Sequence, residues 1–143
     1  MGSLEARRME KLINEISRRP ENKRCMDCGA LMPNNAVVPF ATFVCTPCAG
    51  IHRELAHRVK GVSMSTFTKE EVAAFAAGGN AVARRTWHGG RPDDVPLPES
   101  GNIPKLRAFI KEVYAEQRYY SAPSPAEAAA AAAAGDTGVS AAA

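Results

Sequence analysis

Large side chains are scarce in this chain, which has 5 Phe, 3 Tyr and 1 Trp among 143 residues. A hydrophobic content of 45% is inflated by the alanines near the C-terminal end. A core built from so little bulk is thin, and a bound metal would add usefully to the stability of a domain this small. Long apolar runs are missing as well. The longest, Ala128 to Ala134, is short and weakly hydrophobic, well below the ~20 residues of a membrane span. The first twenty residues are charged and lack the apolar segment of a secretory signal. Ala6 stands where a myristoylation signal needs Ser or Thr. Strong positive charge is also lacking: a net +3 falls short of a dedicated nucleic-acid binder, so nucleic acid is not an expected partner. These absences leave one compact soluble domain with tails, expected inside the cell.

The basic residues that do occur cluster early, as Arg7, Arg8, Lys11, Arg18, Arg19, Lys23 and Arg24. Glu5, Glu10, Glu15 and Glu21 are interleaved with them. The pattern fits a solvated helix face, or a contact surface for acidic lipid or an acidic partner. Met9, Leu12, Ile13 and Ile16 follow helical spacing up to Pro20. Between Cys25 and Cys48, Pro33, Asn34, Asn35 and Pro39 imply mostly loop, with a short strand over Phe40 to Val44.

Thr46 before Pro47 reads as the N-cap of a helix carrying His52 and Arg53. A second short strand is expected between Val59 and Met64. Thr68 and Glu71 form a capping-box pattern. The helix it opens would bury Val72 and Phe75 and stop at Gly78-Gly79, after which Asn80 can cap a helix bearing Val82, Ala83 and Trp87. Residues 91–101 are polar and proline-rich, a surface connection. Leu106, Phe109, Ile110, Val113 and Tyr114 mark a final amphipathic helix. The expected organisation is an extension and helix start over 1–9, a domain over 10–120, and a disordered Ala/Pro/Ser-rich tail over 121–143 with at most transient helix in its alanines.

The sharpest signal is Cys25-x2-Cys28, then sixteen residues, then Cys45-x2-Cys48. Two such knuckles offer four thiolates that can converge on one tetrahedral ion. In a reducing compartment this spacing favours metal over disulfides, and the α/β pattern of a thioredoxin-like redox pair is absent. A four-cysteine site is closed, so Zn2+ bound there would be structural and not catalytic. In small peptides such binding contributes about 10–16 kcal/mol, comparable with the whole stability of a small domain.

Arg53 lies five positions beyond the last cysteine, in Gly50-Ile51-His52-Arg53. Here the sequence resembles the Arf GTPase-activating (Arf-GAP) domain family, whose signature is CxxC-x16-CxxC-x4-R. Cys25, Cys28, Cys45, Cys48 and Arg53 fill every position of it. His57-Arg58-Val59-Lys60, Phe67 and Gly79-Asn80 also match. Within the family the run His57 to Thr68 and the pair Tyr119-Tyr120 resemble the Arf-GAP proteins with FG repeats. No Phe-Gly repeat occurs in this chain, so it is expected to be a fragment or a short relative.

The resemblance implies an α+β fold: a four-cysteine zinc module, a short three-stranded antiparallel sheet, and helices around both. It implies a GTPase activator, a regulator rather than an enzyme with its own substrate, acting on an Arf-family small GTPase in its GTP-bound form. It also implies a cytoplasmic location, peripheral at vesicle or Golgi membranes, with contact to anionic lipid. Arg53 would then be the catalytic residue, inserted in trans to stabilise charge on the transferring phosphoryl group, an effect worth about 10³–10⁵ in rate. The plain alternative is that Arg53 pairs with a carboxylate of its own domain. His52 reads as a packing or hydrogen-bonding residue, since four cysteines already satisfy zinc. His57 and His88 carry no spacing that suggests metal or catalysis, Phe75 and Trp87 read as core, and Lys60 is either a partner contact or a solvated lysine.

Three positions depart from the family pattern. Asn35 stands where most members carry an aromatic residue, usually Trp. The link from Arg53 to Val59 is shorter than usual, and Ser65 replaces a common Asp. These departures keep a second reading open, that of an adaptor with the Arf-GAP fold that binds Arf or vesicle components without activating hydrolysis. A DNA-binding zinc finger of the GATA type has similarly separated cysteine pairs, but it carries a dense basic tail that this chain lacks.

Overall fold

The computed structural model describes residues 3–133. In chain order it contains α1 (Leu4–Ser17), a 3-10 turn (Pro20–Asn22), β1 (Asn35–Val37), a second 3-10 turn (Val38–Phe40), β2 (Thr42–Val44) and α2 (Thr46–Glu54). β3 (Val59–Gly61), α3 (Lys69–Ala77), α4 (Asn80–Trp87), α5 (Ile103–Ile110), a π-helical turn (Lys111–Ala115) and α6 (Pro125–Ala133) follow. The expected α+β fold is what forms, with a three-stranded antiparallel sheet ordered β2-β1-β3. Ala36 pairs with Phe43 on one side and with Lys60 on the other.

Each strand has only three residues, so the sheet owes its stability to burial of both faces. Successive strand residues point to opposite sides, and this alternation sorts the interior into two cores. Ala36 and Phe43 face Met9, Ile13 and Ile16 of α1 and Val72 and Phe75 of α3. Val37 and Val44 face the four cysteines, Ile51 of α2, Trp87 of α4 and Leu106 and Ile110 of α5. The few aromatics are concentrated in this second core. Phe40 stacks on Tyr114 at 4.3 Å and meets the Trp87 edge at 5.0 Å, so limited bulk is spent next to the cysteines.

Local signals placed several elements as expected. Thr68 and Glu71 close a full capping box on α3, and residues 91–101 form no helix or strand. Gly78 ends α3 at a close approach: a Cβ there would lie 2.9 Å from both Ala41 Cβ and the Ala74 carbonyl oxygen. Leu106, Phe109, Ile110, Val113 and Tyr114 are all buried, although the last two sit in the π-helical turn.

Four expectations are corrected. The N-cap of α2 is Cys45, one residue before Thr46. The N-cap of α4 is Gly79, while the Asn80 side chain turns inward to the edge strand. Asn80 Oδ1 accepts from Phe43 N–H at 2.8 Å, and its Nδ2 donates to the carbonyls of Phe43 and Arg24. Asn80 therefore satisfies the open edge of β2 as a neighbouring strand would. Asn35–Val37, within the expected loop, is a strand. Lys60 is neither solvated nor free: its ammonium binds Glu71 Oε1 at 2.7 Å and the Thr66 carbonyl at 2.8 Å.

Part of the expected disordered tail is helical. Ser124 caps α6, exchanging bonds with Glu127, and Glu127 also pairs with Arg85 of α4. Residues 134–143 and 1–2 lie outside the described residues. No helix among the described residues is long and apolar enough to cross a membrane.

Candidate metal centre and the arginine beside it

The two cysteine pairs reach one point by different local routes. Cys25 and Cys28 flank a tight turn in which Gly29 N–H binds the Cys25 carbonyl at 2.9 Å and Asp27 N–H reaches Cys25 Sγ at 3.4 Å. Gly29 adopts φ 78°, which favours glycine. Cys45 and Cys48 open α2 where β2 ends, so the helix N-terminus faces their sulfurs and favours thiolate.

All four sulfurs lie within 4.8 Å of one another, with Cys28 and Cys45 3.6 Å apart. A tetrahedral thiolate site with metal–sulfur bonds of about 2.3 Å separates its sulfurs by about 3.8 Å. The cluster thus fits a single ion held by Cys25, Cys28, Cys45 and Cys48. Its internal electrostatics point the same way. Hydrogen bonds donated to the other cysteines, then burial, push the Cys25 thiol up, while accepting from Cys25 pulls the Cys28 thiol down to about 7. Four crowded thiolates repel one another, and a divalent cation removes that conflict.

Next to the cysteines runs a buried chain of polar groups that sequence reasoning left mostly unread. Asp27, between the first two cysteines, accepts from His52 Nε2 at 2.8 Å, and both side chains are fully buried. His52 Nδ1 lies 2.9 Å from His57 Nδ1. One of these two nitrogens donates to the other, so the two rings are directly linked. Burial, followed by the nearby His52, lowers the His57 pKa to about 4, in keeping with a neutral ring. Tyr114 OH faces Asp27 Oδ1 at 3.5 Å; burial, then the Asp27 charge, pushes its pKa well above the usual range. The expectation of a hydrogen-bonding role for His52 holds. Asp27, His57 and Tyr114 give no local sequence signal, because their partners lie up to 87 residues away.

The same helix displays Arg53. His52 points into the protein, while Arg53 is exposed and makes no side-chain hydrogen bond or ion pair among the described residues. The alternative of pairing with a carboxylate of its own domain is therefore not observed among those residues. Glu54, the next residue, is taken by Arg107 of α5 at 2.8 Å, which pulls the Glu54 pKa below the ordinary carboxylate value. Behind Arg53, α2 ends in a Schellman motif: His57 N–H binds the His52 carbonyl at 2.9 Å and Ala56 N–H binds the Arg53 carbonyl at 3.0 Å. Ala56 takes the left-handed position at φ 64°, where glycine is usual. This tight ending lets the short link reach β3 at Val59, and it brings the His57 ring back onto His52. Asn35, at the other end of the helix, holds Thr46 through its amide at 3.4 Å.

A four-sulfur cluster suited to one metal ion at the start of a short helix, with an exposed arginine on that helix and a small antiparallel sheet beneath, defines an α+β domain with the cysteine arrangement of a zinc finger. Residues 10–123 match the family model described as "ArfGap: Putative GTPase activating protein for Arf". The chain belongs to the ArfGap family.

Among similar proteins, one from Arabidopsis thaliana named "Probable ADP-ribosylation factor GTPase-activating protein AGD14" is 45% identical over 127 residues, 85% of this chain and 19% of that protein. The human "Arf-GAP domain and FG repeat-containing protein 1" is 33% identical over 120 residues, 82% of this chain and 21% of that protein. The expected likeness to the FG-repeat group is thus found. The chain spans about a fifth of the length of these curated relatives. A solved structure described as "ArfGap domain of HIV-1 Rev binding protein" superposes with a TM-score of 0.75 at 32% identity, covering 81% of this chain and 90% of that one.

Proposed function

We propose that this chain is a GTPase-activating domain for an Arf-family small G protein, that its four cysteines hold a structural Zn2+, and that Arg53 enters the nucleotide site of the GTP-bound partner. The reading is supported above all by Arg53 itself. An arginine without a partner among the described residues, on a helix fixed at one end by two sulfurs and along its inner face by the Asp27–His52 contact, is poised for a partner's charge. Zinc in this site supplies rigidity and no chemistry of its own.

In hydrolysis of GTP, negative charge on the transferring phosphoryl group must be stabilised as water attacks. A guanidinium suits the task because it is permanently charged and offers a planar fork of donors to phosphate oxygens. Holding that fork on a stiff helix limits the ordering cost on insertion. The partner GTPase carries out the reaction and this chain completes its site. We place the encounter in the cytoplasm at the surface of vesicle or Golgi membranes, where Arf proteins work.

The second reading, an adaptor that binds Arf without activating it, is favoured by Asn35. Its amide is engaged with Thr46, and Asn35 itself offers no aromatic surface at that end of the helix. Single-turnover GTP hydrolysis by a panel of Arf proteins, with zinc-loaded chain on anionic liposomes, separates the two. Acceleration supports the activator. Binding to GTP-loaded Arf without acceleration supports the adaptor, and Asn35→Trp is then the first variant to restore.

A further inference from the structure

Beside the first cysteine turn lies a feature with no part in the proposed GTPase chemistry. It is an open groove of about 590 Å³ into which Lys23, Arg24 and Arg84 converge, with Glu21 as its single carboxylate and Leu31 and Leu97 on its apolar walls. Lys23 and Arg84 form no ion pair among the described residues, and Arg24 gives one guanidinium bond to the Gly29 carbonyl at 3.1 Å. Three cations against one anion leave a concavity that favours negatively charged ligands.

The lip of the groove is apolar and turned to solvent. Leu31 is 63% exposed and Met32 80% exposed. An isolated backbone bridge between Arg24 and Leu31 fixes this lip to the segment carrying Lys23 and Arg24, and Pro33 is buried just beyond. Met32 is held at φ 62°, a conformation side chains rarely adopt. The structure thus presents two bulky apolar side chains outward, Leu31 in the groove and Met32 following it, beside cations that form no ion pair among the described residues. That pairing matches the layered chemistry of a lipid surface, with phosphates outermost and hydrocarbon just beneath.

We propose that this groove docks the domain on an anionic membrane, with Lys23, Arg24 and Arg84 meeting lipid phosphates while Leu31 and Met32 enter the boundary between headgroups and acyl chains. The charge complementarity commits the groove to a lipid bilayer as its occupant. It is independent of whether Arg53 activates a GTPase.

The test is co-sedimentation of the full, zinc-loaded chain with phosphatidylcholine vesicles, alone or mixed with phosphatidylserine. Binding is expected only to the mixed vesicles, falling as salt is raised. Lys23→Gln and Arg84→Gln should each weaken partition about fivefold, and the pair about 25-fold. Met32→Ser with Leu31→Ser should weaken it about tenfold or more. Glu21→Gln should strengthen it, which loss of structure would not do. Far-UV circular dichroism and zinc content identify any variant that fails to fold, and the surface changes Lys23→Gln and Met32→Ser then decide. The proposal is overturned if neutral and anionic vesicles bind alike, if neither binds, or if the groove variants bind as wild type while Arg7→Gln/Arg8→Gln/Lys11→Gln abolishes binding.

Discussion

Asp27 Oδ2 and His52 Nε2 meet at 2.8 Å in the fully buried interior, and this contact ties the first cysteine turn to the helix that presents Arg53. Cys48 fixes the start of that helix and His52 fixes its middle, so Arg53 projects from a segment held at two points. The arginine inherits its position from groups it does not touch. Removing Asp27 leaves the His52 N–H buried without an acceptor, at a cost of about 3 kcal/mol. Urea denaturation of Asp27→Ala with excess zinc should show a loss of that size. An unchanged midpoint would mean the contact carries no load.

Ala56 occupies a left-handed position at φ 64° that costs a non-glycine residue about 1–2 kcal/mol. Glycine there relieves the strain but gives up about 0.5–1 kcal/mol of unfolded-state entropy. Ala56→Gly should therefore gain about 0.5–1 kcal/mol, and Ala56→Val should lose stability. Melting temperatures of the two variants, moving in opposite directions, check the assignment of the Schellman motif.

His88 is buried with neither ring nitrogen bonded among the described residues, its ring close to Phe109 at 5.6 Å. Burial lowers its pKa to about 4, below the value of about 6.5 in an unfolded chain. The folded state thus binds fewer protons, and the stability this confers is full above about pH 6.5 and lost as pH falls towards 4. Between pH 7 and pH 5 the loss from His88 alone should be about 2 kcal/mol. His57 adds in the same direction, since its pKa is lowered as well. His88→Phe should flatten the slope of stability against pH; an unchanged slope would place the titration elsewhere.

Chelation should unfold the domain. A four-thiolate zinc contributes about 10–16 kcal/mol in small peptides, and a small domain has about 5–15 kcal/mol in total. Near-UV circular dichroism from the Phe40, Trp87 and Tyr114 cluster should collapse on adding a strong chelator and return with zinc. Retention of that signal without metal would contradict a structural role.

What the sequence disclosed was local or carried by the cysteine spacing. The cysteine spacing reads directly because thiolates at two-residue gaps have few other uses, and the Thr68–Glu71 box reads because both partners sit within one turn. Asn80 misleads for the opposite reason: it has the residue type of a cap, but the open edge of β2, 37 residues earlier, claims its side chain. Asn35–Val37 has no strand pattern, and becomes one only because β2 and β3 fold against both its edges. Asp27, His52 and His57 form one chain of bonds across segments whose meeting depends on the finished core. Ser124 and Glu127 carry a capping-box spacing that the alanine-rich composition of the tail obscured.

Arg53 is the centre of the proposed activity, and the most direct measurement is the single-turnover rate of GTP hydrolysis by Arf with wild-type chain and with Arg53→Lys. Lysine retains the charge and loses the fork. The predicted result is acceleration by wild type of about 10³-fold or more, nearly abolished in Arg53→Lys, with zinc content and affinity for GTP-loaded Arf unchanged. Acceleration by Arg53→Lys equal to that of wild type would contradict the account.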